Sequence, residues 1–109
     1  MSITISDFAK IEIKVGRIIS VDDIPEARNP MYKLMVELGD GVNKQCVAGI
    51  KNFYIPQDLI GRRVVVVVNL EPKSVAGVIS ECMLLAASDE NQLSLLSLDR
   101  DIPPGTKIS

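Results

Sequence analysis

Histidine and tryptophan are both absent from this 109-residue chain, and the aromatic residues number four: Phe8, Tyr32, Phe53 and Tyr54. Without histidine there is no Ser-His or Cys-His catalysis and no His-containing metal site. Cysteine is limited to Cys46 and Cys82, thirty-six residues apart, each in apolar surroundings and with no CxxC pattern. Such a pair reads as buried, reduced thiols, with a disulfide as the alternative and a metal site unsupported. No charge-free run reaches the ~18 apolar residues of a membrane span. The start, Met1 to Asp7, has neither the basic nor the long apolar region of a secretory signal. A cytoplasmic location, away from membranes, is the expectation. Neither sign of charge dominates: twelve Lys and Arg face fourteen Asp and Glu, net −2. That argues against a general basic coat for nucleic acid and leaves room for a local basic patch.

With so few aromatics, the core must be built from Ile, Val and Leu. Ser6 to Lys10 reads as one helical turn with Ser6 as candidate N-cap. Ile11, Ile13, Val15, Ile19 and Val21 share odd positions, the pattern of a strand buried on one face. Gly16 interrupts it and Arg17 falls on the inward phase, so a bulge is expected there. Residues 22–31 hold Pro25 and Pro30 and read as a long loop, a length often associated with function. Strands follow at Tyr32 to Leu38 and Val42 to Ala48 around Gly39-Asp40-Gly41. Pro56 to Ile60, closed by Gly61, is a short helix. Val64 to Val68 suits a central strand buried on both faces. A loop at 71–77, a strand from Val78 to Ala87, a turn at 89–92 and an apolar stretch Leu93 to Leu98 complete the order. The expected fold is all-β: an OB-fold, a five-stranded Greek-key barrel with a short helix between strands 3 and 4. The loops 22–31 and 71–77 should then flank its ligand face. One domain spans 1–109, with the barrel at about 7–87 and a C-terminal β extension at about 88–109.

Chemistry-bearing patterns are sparse. No phosphate-binding glycine loop and no G-x-S-x-G occur, and the acidic pairs Asp22-Asp23 and Asp89-Glu90 sit in turns. The chain reads as a non-enzyme without cofactor or metal. Residues 1–75 hold ten of the twelve cations, whereas residues 76–109 hold two against five acids. Arg28 and Lys33 flank the first long loop and Lys73 sits in the second, and they are expected to converge on one rim with Lys14. Converging cations over a groove track phosphates. Tyr32 and Tyr54 are the candidate stacking platforms, with packing under the short helix the alternative for Tyr54. So few aromatics favour recognition by shape and backbone over sequence-blind stacking.

Several stretches, taken in order, resemble the tRNA-binding-domain family. They are Asp7-Phe8 with Lys10, Lys14-Val15-Gly16-Arg17-Ile18, and Pro25-Glu26-Ala27-Arg28-Asn29-Pro30 with Tyr32-Lys33-Leu34. Val66 to Lys73 and Gly77 to Ala87 continue the match. The family comprises free-standing tRNA-binding proteins, domains or beta subunits of methionyl-tRNA synthetases, and CsaA-type secretion chaperones. The resemblance implies tRNA recognised by its shape, no catalysis, and a homodimer built with the 88–109 extension. It implies that Asn69, Lys73, Ser80 and Met83 contact RNA, with Arg28 and Lys33 at the charged loop edge beside them. Ala76 stands before Gly77 where many synthetase-attached members carry a basic residue, and Cys82 precedes Met83 where many have glycine. The first loop is closer to the CsaA type, and the later stretches lean toward the synthetase type. Three functions follow as expectations. The first is a dimeric tRNA-binding protein, as a beta subunit or helper of a methionyl-tRNA synthetase. The second is a CsaA-type chaperone binding peptide. The third is a module docking onto an aminoacyl-tRNA synthetase.

Overall fold

The computed structural model describes residues 1–109. The elements are α1 (Ile5–Ala9), β1 (Ile13–Asp23), β2 (Tyr32–Glu37), β3 (Asn43–Ala48), α2 (Pro56–Leu59), β4 (Arg63–Val67), β5 (Lys73–Val75), β6 (Val78–Ser80), β7 (Met83–Leu84), β8 (Ala86–Ser88), β9 (Leu93–Leu95) and β10 (Lys107–Ile108). No helix is long and apolar enough to cross a membrane. The main sheet runs β3-β2-β1-β4-β7, with β10 added on β1. These five strands, with α2 between β3 and β4, make a nearly closed barrel of OB architecture.

β4 behaves as its composition predicts. Val64, Val66 and Val68 point into the core cluster, and Val65 and Val67 are buried on the opposite face. Each buried valine contributes on the order of 1.5 kcal/mol or more. β2 alternates in the same way, with Tyr32, Leu34 and Val36 buried and Lys33, Met35 and Glu37 turned outward.

β1 departs from expectation in phase and in bulge position. Gly16 faces the interior, where an added Cβ would lie 2.5 Å from Val36 Cγ1 and 2.8 Å from Val66 Cγ2. Only glycine lets the walls approach this closely. Gly16 and Ile18 therefore take the inward phase, and Ile13, Val15 and Arg17 point outward. Arg17 meets Glu37, its cross-strand partner, at 3.4 Å. Val15 is still buried because the C-terminal segment lies against it: Gly105 N–H donates to Val15 O at 2.7 Å and Val15 N–H to Thr106 O at 2.9 Å. The bulge falls at Ile19, between the pairs Ile18–Val36 and Ser20–Met35. That extra residue resets the phase, so Val21 packs on the core.

Two further expectations are corrected. The cap of α1 is Thr4 rather than Ser6: its hydroxyl accepts from Asp7 N–H, and the Asp7 carboxylate accepts from Thr4 N–H. The expected strand 78–87 is three short pieces, β6, β7 and β8. It breaks because residues 79–82 close the barrel against β3 partly through side chains. Glu81 N–H donates to Gln45 O at 2.8 Å, Gln45 N–H to Glu81 Oε1 at 3.0 Å, and Gln45 Nε2 to Ile79 O at 2.8 Å. The apolar stretch 93–98 pairs only as β9, against β8, and sends Leu95 into the core.

Candidate nucleic-acid interface

The two loops expected to flank the ligand face do meet. β5 and β6 form a hairpin whose tip is Ala76-Gly77, both with positive φ (50° and 83°). This two-residue turn matches the twist of its strands, and Ala76 sits where glycine or asparagine is usual. The loop after β1 is anchored by buried Ile24, whose carbonyl accepts from Ala27 N–H at 3.1 Å. Glu26 to Asn29 and Met31 then enclose a shallow cavity of about 310 Å³ together with Val75 and Ala76 of the hairpin tip.

Three cations belong to this rim. Arg28 is exposed on the first loop, Lys33 is half-buried and outward on β2, and Lys73 is exposed at the base of the hairpin opposite Ser80. None of them takes part in the chain's four ion pairs, which use Lys10, Arg17, Lys51 and Arg63. Asp23, beside the first loop, is instead held by Lys51 at 2.9 Å. The rim thus presents cations outside the chain's ion pairs, with Asp22 opposite Lys33 across the β1–β2 ladder, and cations of this kind are open to a phosphate backbone.

Of the expected contact residues, Ser80 braces this rim and Asn69 braces the apolar hollow described below. Ser80 Oγ accepts from Val47 N–H at 3.0 Å and donates to Cys82 O at 3.3 Å, so it fastens β6 to β3. Asn69 Oδ1 accepts from Glu12 N–H at 2.9 Å, and its Nδ2 donates to Lys10 O at 2.7 Å. It ties the end of β4 to the segment joining α1 and β1.

The other two lie elsewhere. Lys14 takes the inward phase of β1, not the outward one, because Gly16 fixes that phase. It lines a cleft of about 520 Å³ with Glu12, Asp40, Lys44, Glu71 and Glu81, where acids outnumber the lysines. Met83 is 46% exposed and lines an apolar hollow of about 460 Å³ with Ile11, Ile13, Val67, Leu70 and Leu85. Neither tyrosine is free to stack on a base. Tyr32 is buried and donates to Tyr54 O at 2.8 Å, and the Tyr54 hydroxyl accepts from Leu95 N–H at 3.0 Å. No group of three His, Cys, Asp or Glu residues is placed to hold a metal ion.

The apolar hollow was not anticipated. Its signal was a surplus of large apolar residues at the start of the chain, where Ile3 and Ile5 are 64% and 89% exposed and Phe8 and Ile11 are also exposed. A core this small has no room for them.

Residues 13–107 match the family model described as "Putative tRNA binding domain". The chain belongs to this tRNA-binding domain family. A methionine–tRNA ligase of Methanocaldococcus jannaschii is 47% identical over 107 residues, covering 97% of this chain and 16% of that enzyme. The chain therefore spans only a small part of the synthetase relatives it matches. Among solved structures, the chaperone CsaA of Bacillus anthracis superposes with a TM-score of 0.93 at 36% identity, covering 100% of both chains. A MetRS-related protein of Pyrococcus horikoshii superposes with a TM-score of 0.90 at 29% identity, covering 100% of this chain and 99% of that one.

Proposed function

We propose that the protein is a non-catalytic, structure-specific tRNA binder that works as a homodimer, serving a methionyl-tRNA synthetase as a beta subunit or helper. The observation that carries this reading is the set of cations outside ion pairs, Arg28, Lys33 and Lys73, on and beside the two meeting loops. The family match and the kinship with methionine–tRNA ligases support it. With two phosphate-tracking rims on one particle, the second engagement becomes intramolecular, and affinity rises without new contacts. That effect matters for a chain of net charge −2. Arg28, Lys33 and Lys73 contact phosphates, while Ser80 fastens the hairpin that carries Lys73 to β3. The exposed apolar side chains of α1, with Ile11, Leu70 and Met83 around the hollow, form the face that a second copy covers.

A second reading, a peptide-binding chaperone, is favoured by the same hollow and by the likeness to CsaA. Binding of the purified protein to bulk folded tRNA, with an unstructured RNA of equal length as control, separates the two. Preference for folded tRNA, with affinity falling linearly in log–log salt, supports the first reading. Absence of binding to either RNA, with capture of unfolded polypeptide, supports the second.

A further inference from the structure

Cys46 and Cys82 are buried nucleophiles that the RNA reading leaves without a role. Both belong to the core cluster, at 0% and 4% exposure. They are thirty-six residues apart in sequence, yet the barrel seam brings their strands side by side. Glu81 N–H donates to Gln45 O at 2.8 Å, the Cys82 thiol points to the same carbonyl at 3.8 Å, and Val47 N–H reaches Ser80 Oγ at 3.0 Å. Residues 45–47 therefore run beside 80–82, with a cysteine at or next to the centre of each triplet. The two thiols also sense each other directly. A hydrogen bond from Cys82 holds the Cys46 thiol below its ordinary pKa, against the opposing effect of burial. The same bond, then burial and the Cys46 charge, push Cys82 up. Cys46 is thereby disposed to ionise and act as the nucleophile, and Cys82 gives up its proton as it attacks.

We infer that Cys46 and Cys82 form an oxidant-responsive clasp across the barrel seam, closed to a disulfide by a small peroxide. The Cys46 thiolate attacks one peroxide oxygen: an S–O bond forms, the O–O bond breaks, and the departing hydroxide takes a proton to become water. Cys82 sulfur then attacks the Cys46 sulfenic acid. The S–S bond forms, the S–O bond breaks, and the leaving hydroxide carries off the Cys82 proton as a second water. The two sulfurs lose the two electrons that reduce the peroxide. Burial excludes bulky disulfides, so the clasp answers to an oxidant small enough to enter when the seam opens locally. Closing it adds a covalent bond at the point where side chains replace the backbone ladder and β6 is fastened.

The test is treatment of the purified protein with hydrogen peroxide, followed by intact mass, thiol alkylation in denaturant, and thermal unfolding. The expected result is an intramolecular disulfide: a loss of about 2 Da, two cysteines resistant to alkylation until a reductant is added, and a rise in Tm on the order of 10 °C. Cys82→Ser should stop at the sulfenic acid, trapped as a dimedone adduct on Cys46 when the reagent is added in denaturant. Two thiols still open to alkylation after peroxide, or disulfides only between chains, overturn the inference. The wild-type mass decides the matter even where the variant fails to fold. None of these readouts involves RNA, so the clasp stands or falls apart from the proposed function.

Discussion

The cationic rim and the apolar hollow sit on the same small barrel and are built in opposite ways. The rim is made of loops and a short hairpin, held by side-chain hydrogen bonds such as Ser80 to Val47 and carrying charges outside the chain's ion pairs. The hollow is made of strand faces and the segment after α1, tied by Asn69 and lined by Ile11, Leu70, Met83 and Leu85. A rim of this kind gains its affinity from counterion release and loses it in salt. A hollow of this kind gains from removing apolar surface from water and is insensitive to salt. Salt and charge substitutions should therefore act on one, and apolar-to-charged substitutions on the other. RNA binding depends on both only if two copies act together.

The largest effect is expected from the hollow. Ile11→Asp combined with Met83→Asp should convert a dimer to a monomer in analytical ultracentrifugation and weaken tRNA binding about 100-fold by removing avidity. A monomer that binds as tightly as the parent would uncouple the two regions. Next is the brace of the rim. Ser80→Ala orphans Val47 N–H at the seam and should cost about 1–3 kcal/mol in urea unfolding. A cost near zero would mean that the seam does not depend on this hydroxyl. Lys73→Ala should leave stability unchanged and lower the log–log salt slope of tRNA binding by about one unit. Lys14→Ala, in its acid-rich cleft, should leave that slope where it is, and a loss equal to that of Lys73→Ala would move the rim to the other end of β1. The smallest effect is expected at the β8–β9 turn. Asn91 and Gln92 N–H groups hold the Asp89 carboxyl below its ordinary pKa. Because the folded pKa is lowered, the stabilisation is present above the ordinary carboxylate range and fades as pH falls through the lowered value. Asp89→Asn should slightly reduce the acid sensitivity of Tm and leave RNA binding untouched.

The order of elements was legible because its signals are local. Five consecutive valines, the Gly39-Asp40-Gly41 turn and the proline-to-glycine bracket around α2 each point to one structure. The phase of β1 was hidden because the strand is buried on both faces near Val15. Alternation is informative only when one face meets water, and the residues that cover Val15 lie some ninety positions away in sequence. The division of 78–87 into three strands was hidden for a related reason: Gln45 and Glu81 replace backbone ladder bonds with side-chain ones, and no local pattern announces that. Of the candidate site, Arg28, Lys33 and Lys73 were legible as charges in or flanking long loops. Lys14, expected at the rim, and Met83, expected as an RNA contact, take positions that follow from strand phase and from where the barrel closes, which no local pattern announces.

The central claim is that Arg28, Lys33 and Lys73 act together on the phosphates of a folded tRNA. The most direct measurement is the salt dependence of tRNA affinity for the parent and for the triple variant Arg28→Ala, Lys33→Ala, Lys73→Ala. If each cation neutralises one phosphate, at about 0.9 units of log–log slope apiece, the triple variant should lose roughly 2.7 units. Its unfolding curve should match that of the parent. A triple variant that folds normally and keeps the parental slope would show that the phosphates are held elsewhere on the barrel.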